Sequence, residues 1–111
     1  MTSQKKESTM KYLGQKIREL RKGQELLLRQ VAAHLEVDTA LMSKIERGAR
    51  NASKQQVIEI ARFLKANEEE LLTLWMADKI ESTVVEEPSV AYEAIKIVHK
   101  NLKRWDKARN S

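Results

Sequence analysis

Two short predicted helices separated by only three residues constrain this chain more than any other feature of its sequence. Apolar residues recur at helical spacing over Leu28–Leu35 and again over Thr39–Arg47. Asp38 is a typical N-cap for the second helix, and Gly48 follows it as a stop. A connection over 36–38 is too short for an antiparallel hairpin, so the second helix is expected to cross the first at a steep angle.

Two helices joined in this way form a helix-turn-helix motif. The small side chain of Ala32 allows the helices to approach closely, and Val37 is expected to fill the turn. The pattern leaves one alternative open at this point, because a small helical bundle with no role in nucleic-acid binding can carry the same local spacing.

The rest of the chain is also predicted to be helical. Among 111 residues there is no cysteine, one proline and only three glycines. The lack of cysteine excludes disulfides, thiol catalysis and cysteine-bound zinc, and the scarcity of turn residues disfavours an all-β fold. Apolar periodicity predicts a first helix over Met10–Lys22, a fourth helix after Ser53, a fifth from Asn67 to Ile80 and a sixth over Ser89–Lys107.

These elements divide the chain into four expected segments. Residues 1–9 are a polar, flexible arm, and residues 10–80 form the helix-turn-helix domain. Residues 81–88 are expected to be a linker, extended over Ser82–Val85, and residues 89–111 a dimerisation helix. The predicted fold class is therefore all-α, a five-helix domain followed by a C-terminal amphipathic helix.

Positive charge is concentrated in the first part of the chain. The whole chain has a net charge of +5, and residues 1–66 contain 14 Lys and Arg against 7 Asp and Glu. An excess of this kind favours a polyanionic partner, although a basic surface can also serve solubility alone. No apolar run approaches the ~20 residues of a membrane helix, and no signal-peptide pattern opens the chain, so we expect a cytoplasmic protein without a membrane partner.

Three stretches of the chain resemble the Cro/phage-repressor (Xre) helix-turn-helix family. They are LGQKIRELRK, RQVAAHLEVDTALMSKIERGARNAS and VIEIARFLKANEEELL, and together they cover about residues 12–75. The run Ser43–Gly48 is the most specific part. The resemblance implies a phage-repressor-like fold of five helices, in which the third helix enters the major groove of double-stranded DNA.

The resemblance also implies roles for individual residues. Arg21 and Glu46 would form a structural pair between the first and third helices. The residues implied to face base edges are Thr39, Ala40, Ser43 and Lys44. The residues implied to bind backbone phosphates are Arg47, Arg50, Asn51 and Lys54.

The sequence departs from the family pattern at three places. Leu27 and Leu28 stand where a polar cap and a phosphate-binding glutamine are usual, and Arg29 is the nearest residue that could bind phosphate instead. Glu36 replaces the turn glycine, which suggests a slightly strained or differently shaped turn. Ala52 replaces the proline after the third helix.

The last two predicted helices carry apolar surface that suggests a dimer. Apolar residues cover most sides of the fifth helix, and those of the sixth repeat at intervals of four and three residues, as in a coiled-coil seam. A sixth helix folded back onto its own domain is the alternative. The residues predicted to form the homodimer interface are Leu72, Trp75, Met76, Ile95, Val98, Leu102 and Trp105.

The sequence thus predicts a sequence-specific transcriptional regulator that binds double-stranded DNA as a dimer on a pseudo-palindromic operator. Repressors, autoregulators and restriction–modification controllers are the kinds of family member that it could be, in a bacterial or phage-type, nucleoid-associated setting. The alternative is an adaptor, or an antitoxin-like partner-binding protein, with a degenerate helix-turn-helix. No residue constellation suggests an enzyme, a cofactor or a metal site.

Overall fold

The structure, a computed structural model, describes residues 11–109, and these residues contain six α-helices and no strand. The predicted all-α fold class is confirmed. The flexible arm expected over residues 1–9 lies outside the described residues. The helices are α1 (Tyr12–Gly23), α2 (Leu28–Leu35), α3 (Thr39–Arg47), α4 (Lys54–Phe63), α5 (Glu68–Val84) and α6 (Pro88–Arg109).

The helix bounds agree with the sequence-based prediction over the motif and differ near the C-terminus. Helices α2 and α3 have the predicted bounds. The extended conformation expected over Ser82–Val85 is wrong, because α5 continues to Val84. The hydroxyls of Ser82 and Thr83 both donate to the Lys79 carbonyl, so these residues satisfy the helix backbone instead of breaking it.

The chain divides into two compact units, the first ending at Asp78 and the second beginning at Lys79. The apolar core of the first unit comprises residues from α1 to α5. Its largest fully buried side chains are Ile17, Val31, Met42, Val57, Ile60, Leu64 and Leu71. In the second unit, α6 is exposed along nearly its whole length.

Each of the first four helices ends in a left-handed residue that closes the last turn. The left-handed residues are Glu25, Glu36, Gly48 and Lys65. After α2, for example, the Val37 amide donates to the Ala32 carbonyl and the Glu36 amide donates to the Ala33 carbonyl. Glycine occupies only one of the four positions, and Glu36 reproduces the turn geometry of a glycine at φ 60° and ψ 40°. The turn therefore keeps its shape at the cost of backbone strain.

We predict that Glu36→Gly stabilises the protein by about 1 kcal/mol, because relief of the left-handed strain outweighs the added entropy of the unfolded chain. Thermal unfolding should show a melting temperature higher by a few degrees. The matched control is Glu36→Ala, which removes the same carboxylate but retains the Cβ. A glycine variant that melts no higher than the alanine variant would show that the turn is unstrained.

Candidate nucleic-acid interface

The two helices of the motif are joined and capped as the sequence indicates. The Asp38 carboxylate accepts a hydrogen bond of 2.7 Å from the Leu41 amide, which caps α3. Val37 is half-buried in the turn, and Ala32 is buried in α2. Gly48, at φ 79°, ends α3. The sequence therefore specifies both the start and the end of the second helix of the motif.

Helix α3 has one buried side and one exposed side. Met42, Ile45 and Glu46 are buried. Three of the predicted base-reading residues, Ala40, Ser43 and Lys44, lie away from this side, since successive residues are about 100° apart around a helix, and Thr39 is the first residue of the helix. Thr39, Ala40 and Lys44 are exposed, and Ser43 is half-buried. Side chains from this face can therefore reach a partner without any change in the domain.

Arg47 extends the exposed face of α3 by one turn. Its Nε donates to Ser43 Oγ at 3.4 Å, so both residues lie on the same side of the helix. Because the Ser43 oxygen accepts this bond, its hydroxyl proton is left to donate.

The predicted phosphate-binding residues surround α3 in the sequence and are all exposed. Arg29 is the second residue of α2, and Lys54 is the first residue of α4. Arg50 and Asn51 belong to the connection between α3 and α4. Arg29, Arg50 and Lys54 add to the positive charge of Lys44 and Arg47, and none of these five side chains forms an ion pair within residues 11–109.

The start of α2 lacks a polar cap residue. Leu27 occupies the N-cap position, is about half exposed (48%), and has no side-chain acceptor. Instead, the Gln30 side chain reaches back and accepts a 2.6 Å hydrogen bond from the Leu27 amide. Only half of a capping box is therefore present, and the exposed leucine is an unusual group for the edge of a DNA interface.

A buried ion pair connects α1 to α3. Arg21 Nε donates to Glu46 Oε2 at 2.7 Å, and Arg21 Nη2 donates to Glu46 Oε1 at 3.1 Å. A third donor, Nη1, binds the Leu26 carbonyl. The side chains are only 12% and 5% exposed. The hydrogen bond and the attraction of Glu46 raise the pKa of Arg21 against the opposing effect of burial, so Arg21 keeps its proton to a higher pH than a free arginine does.

Gly14 allows α1 to touch the backbone of α3, and sequence reasoning missed it. A Cβ at this position would lie 2.8 Å from the Ile45 oxygen and even nearer to the Glu46 oxygen. No side chain can occupy that space, so the glycine sets how closely the two helices pack.

Two residues of α5, Trp75 and Asp78, bind other parts of the domain, and sequence reasoning missed both of these contacts. The Asp78 carboxylate is 8% exposed and accepts from the Tyr12 and Leu13 amides, at 2.9 and 3.2 Å, so it caps α1. Trp75 Nε1 donates to the Ala52 carbonyl at 2.8 Å. Asp78 lies two helical turns after buried Leu71, and that spacing was a signal that it faces the core.

The residues predicted to form a dimer interface fall into two groups. Leu72 and Trp75 are partly buried against the core of their own domain. The others are exposed, from 43% for Ile95 to 64% for Trp105, and they comprise Met76, Ile95, Val98, Leu102 and Trp105.

Comparison with protein families decides the class of the domain. The family described as "Helix-turn-helix domain" matches residues 12–74, more than half of the chain. The chain belongs to this helix-turn-helix domain family. Neither the search of curated proteins nor the search of solved structures gave a significant match. The match covers all of α1–α4 and the first part of α5, and it includes all the predicted base-reading and phosphate-binding residues.

None of the helices within residues 11–109 has the length and apolarity needed to cross a membrane. Over the same residues, no three His, Cys, Asp or Glu side chains are grouped so that they could hold a metal ion.

We predict that Arg21→Ala destabilises the domain by about 3 kcal/mol or more, because it leaves the Glu46 carboxylate buried without a partner. Arg62→Ala is the matched control, since it breaks the exposed Arg62–Glu68 pair and should hardly change the melting temperature. The double variant Arg21→Met/Glu46→Met should lose less than Arg21→Ala, because neither charge is then stranded. Equal melting of the two alanine variants would contradict a structural role for the buried pair.

We predict that Gly14→Ala destabilises the domain by about 1–3 kcal/mol through overpacking, although alanine is the better helix former. Gly23→Ala is the control, because nothing lies within 4 Å of the corresponding Cβ and the last turn of α1 should gain up to about 1 kcal/mol. Thermal or urea unfolding measures both. If the two variants shift stability in the same direction, close packing at Gly14 is not what keeps α1 against α3.

Proposed function

We propose that this helix-turn-helix protein is a dimeric, sequence-specific transcriptional regulator of the Cro/phage-repressor (Xre) type. It binds a pseudo-palindromic operator in double-stranded DNA and represses or tunes transcription by occupying that site. The observation that carries the proposal is the exposed face of α3, whose small and basic side chains are accessible while its opposite side anchors the core. The proposed setting is the bacterial or phage-type nucleoid.

The side chains on this face suit a particular kind of readout. Thr39 and Ala40 offer methyl groups to thymine, and Lys44 can donate to guanine O6 and N7. Ser43 can donate its hydroxyl proton to a base acceptor. Because the four base-reading positions contain no Arg, Asn or Gln, bidentate base contacts are few. We therefore propose that DNA shape and the pairing of two half-sites supply part of the specificity.

Selection from a library of random duplexes, followed by footprinting of the selected sequence, tests the proposal. We expect a protected site with two inverted half-sites whose centres lie about 34 Å apart, one turn of DNA. Recovery of no common sequence, with binding that depends only on salt, would overturn it.

A protein-interaction adaptor or antitoxin-like protein is the second candidate. Exposed Leu27 and the incomplete cap of α2 favour it, because an apolar group at this edge suits a protein partner better than phosphate. A salt titration of duplex binding separates the two functions. The adaptor gives no specific complex at any ionic strength, whereas the regulator retains a preferred sequence as salt rises.

Lys44 and Arg50 are predicted to contribute to DNA binding in different ways. Lys44→Ala should cost about 1–3 kcal/mol on the selected site and relax the preference at one base position. Arg50→Ala should weaken specific and random duplexes alike and reduce the salt slope by about one per subunit. Mobility-shift titrations on both duplexes measure these effects. Equal losses on every sequence for both variants would contradict a base-reading role for Lys44.

For the dimer, we propose that a second copy of the chain covers the apolar side of α6. The spacing of Ala91, Ile95, Val98, Leu102 and Trp105 forms a heptad seam. The last four of these residues are exposed. A seam of this kind fits another helix of the same sequence.

We predict that Leu102→Gln/Trp105→Gln yields a monomer with much weaker operator binding, because two half-sites are no longer bound as one unit. The control is Ile97→Gln, which removes an apolar group that is 65% exposed but lies off the seam. Sedimentation equilibrium gives the result. A wild-type protein that is monomeric at tens of micromolar would contradict the proposed dimer.

A further inference from the structure

Lys11 lies just before α1 and contacts the loop that follows α3, although no sequence motif connects the two. Its Nζ is 3.4 Å from Asn51 Oδ1, across 40 residues of sequence. Asn51 and its neighbour Arg50 are both exposed. Three groups able to donate hydrogen bonds, two of them cationic, are thus present where the loop meets the start of α1.

Helix α5 holds both sides of this junction in place. Asp78 accepts from the amides of Tyr12 and Leu13, the two residues after Lys11. Trp75 binds the carbonyl of Ala52, the residue after Asn51. Lys11 and Asn51 are therefore each next to a backbone segment that is bonded to α5. Their backbone is held in place before any ligand binds. A site prepared in this way loses less entropy on binding.

The hydrogen bond from Lys11 also determines what Asn51 offers to a ligand. A side-chain amide has one acceptor oxygen and one donor nitrogen. The oxygen accepts from Lys11, so the Nδ2 group remains available to donate. Lys11 Nζ has two further protons. An anion with several acceptor oxygens can accept from both groups at once.

The N-terminus of α1 does not itself supply the anion-binding groups at this junction. The N-terminal amides of α1 normally attract anions, but Asp78 already occupies the first two of them. The positive charge at this junction comes from Lys11 and Arg50 instead.

We propose that Lys11, Asn51 and Arg50 form a clamp for one phosphate of the DNA backbone. This inference rests on the proposed function and extends the interface beyond the helix-turn-helix match to the residue before α1. The clamp makes no contact with bases, so it increases affinity for every sequence equally.

The variant Lys11→Gln tests whether the positive charge of Lys11 contributes to DNA binding. Titrations on the selected duplex and on a random duplex should both show several-fold weaker binding, with a salt slope shallower by about one per subunit. The control is Lys22→Gln, which removes the same charge from the exposed end of α1 and should leave the slope unchanged. Lys11→Gln should melt like the wild type.

Asn51→Asp separates a phosphate clamp from a structural tether. Aspartate retains an oxygen for Lys11 and adds an opposite charge, so a mere tether would be preserved or strengthened. A clamp would instead lose its donor and present a negative charge to the phosphate. We therefore expect unchanged or higher thermal stability with DNA binding weaker than that of Asn51→Ala.

The possible failures are distinguishable. If the wild type binds no duplex, the proposed function fails. If the wild type binds DNA but Lys11→Gln retains its affinity and salt slope, or loses affinity for the selected duplex alone, the clamp is overturned and the proposed function stands. DNA binding by Asn51→Asp at or above the level of Asn51→Ala also overturns the clamp.

Discussion

The orientation of α3 depends on its contact with α1. At one point the two helices are so close that only a glycine fits between them, and near the end of α1 the Arg21 guanidinium holds the Glu46 carboxylate with two hydrogen bonds. Close packing determines the distance between the helices, and the bidentate pair determines their register. A helix that reads DNA must present its side chains at a defined angle, so this contact is a precondition for the exposed face on the other side of α3.

Helix α5 gives the same domain a second support. Its Asp78 caps α1, and its Trp75 binds the connection between α3 and α4. One helix therefore stabilises both backbone segments that carry the residues of the proposed phosphate clamp. The hydrogen bond of Trp75 to Ala52 and the packing of its ring on the core also explain why Trp75 is half-buried. A tryptophan whose ring packs on the core and whose N–H reaches a carbonyl is satisfied within its own domain.

The charges of the first unit are arranged in a way that suits a polyanion. The acidic groups Glu46 and Asp78 are buried and fully bonded, whereas Lys44, Arg47, Arg50 and Lys54 remain at the surface. Exposed Leu27, at the start of α2, favours a protein partner instead.

Much of the fold was predictable from local signals. The bounds of α2 and α3, the Asp38 cap and the Gly48 stop follow from side-chain chemistry within a few residues, and the structure has them as predicted. The positions of Ala40 and Lys44 on the exposed side of α3 follow from helical periodicity alone. The Arg21–Glu46 pair could be named because a resemblance to a family implied it, since nothing in the spacing of residues 25 positions apart requires them to meet.

Only the tertiary structure decided the roles of Gly14, Asp78, Trp75 and Lys11. Each acts on a partner distant in sequence, from 23 residues for Trp75 and Ala52 to 66 for Asp78 and Tyr12. Periodicity indicates that such a residue faces inward, but it does not indicate which backbone groups it will meet there. The extension of α5 through Ser82–Val84 was misjudged for a related reason, because β-branched and hydroxylated residues favour extended structure by propensity, yet their hydroxyls bind the preceding helical turn. Local chemistry determined the helices of this protein, and the packing of helices from distant parts of the chain determined which polar groups became buried supports and which stayed available for binding.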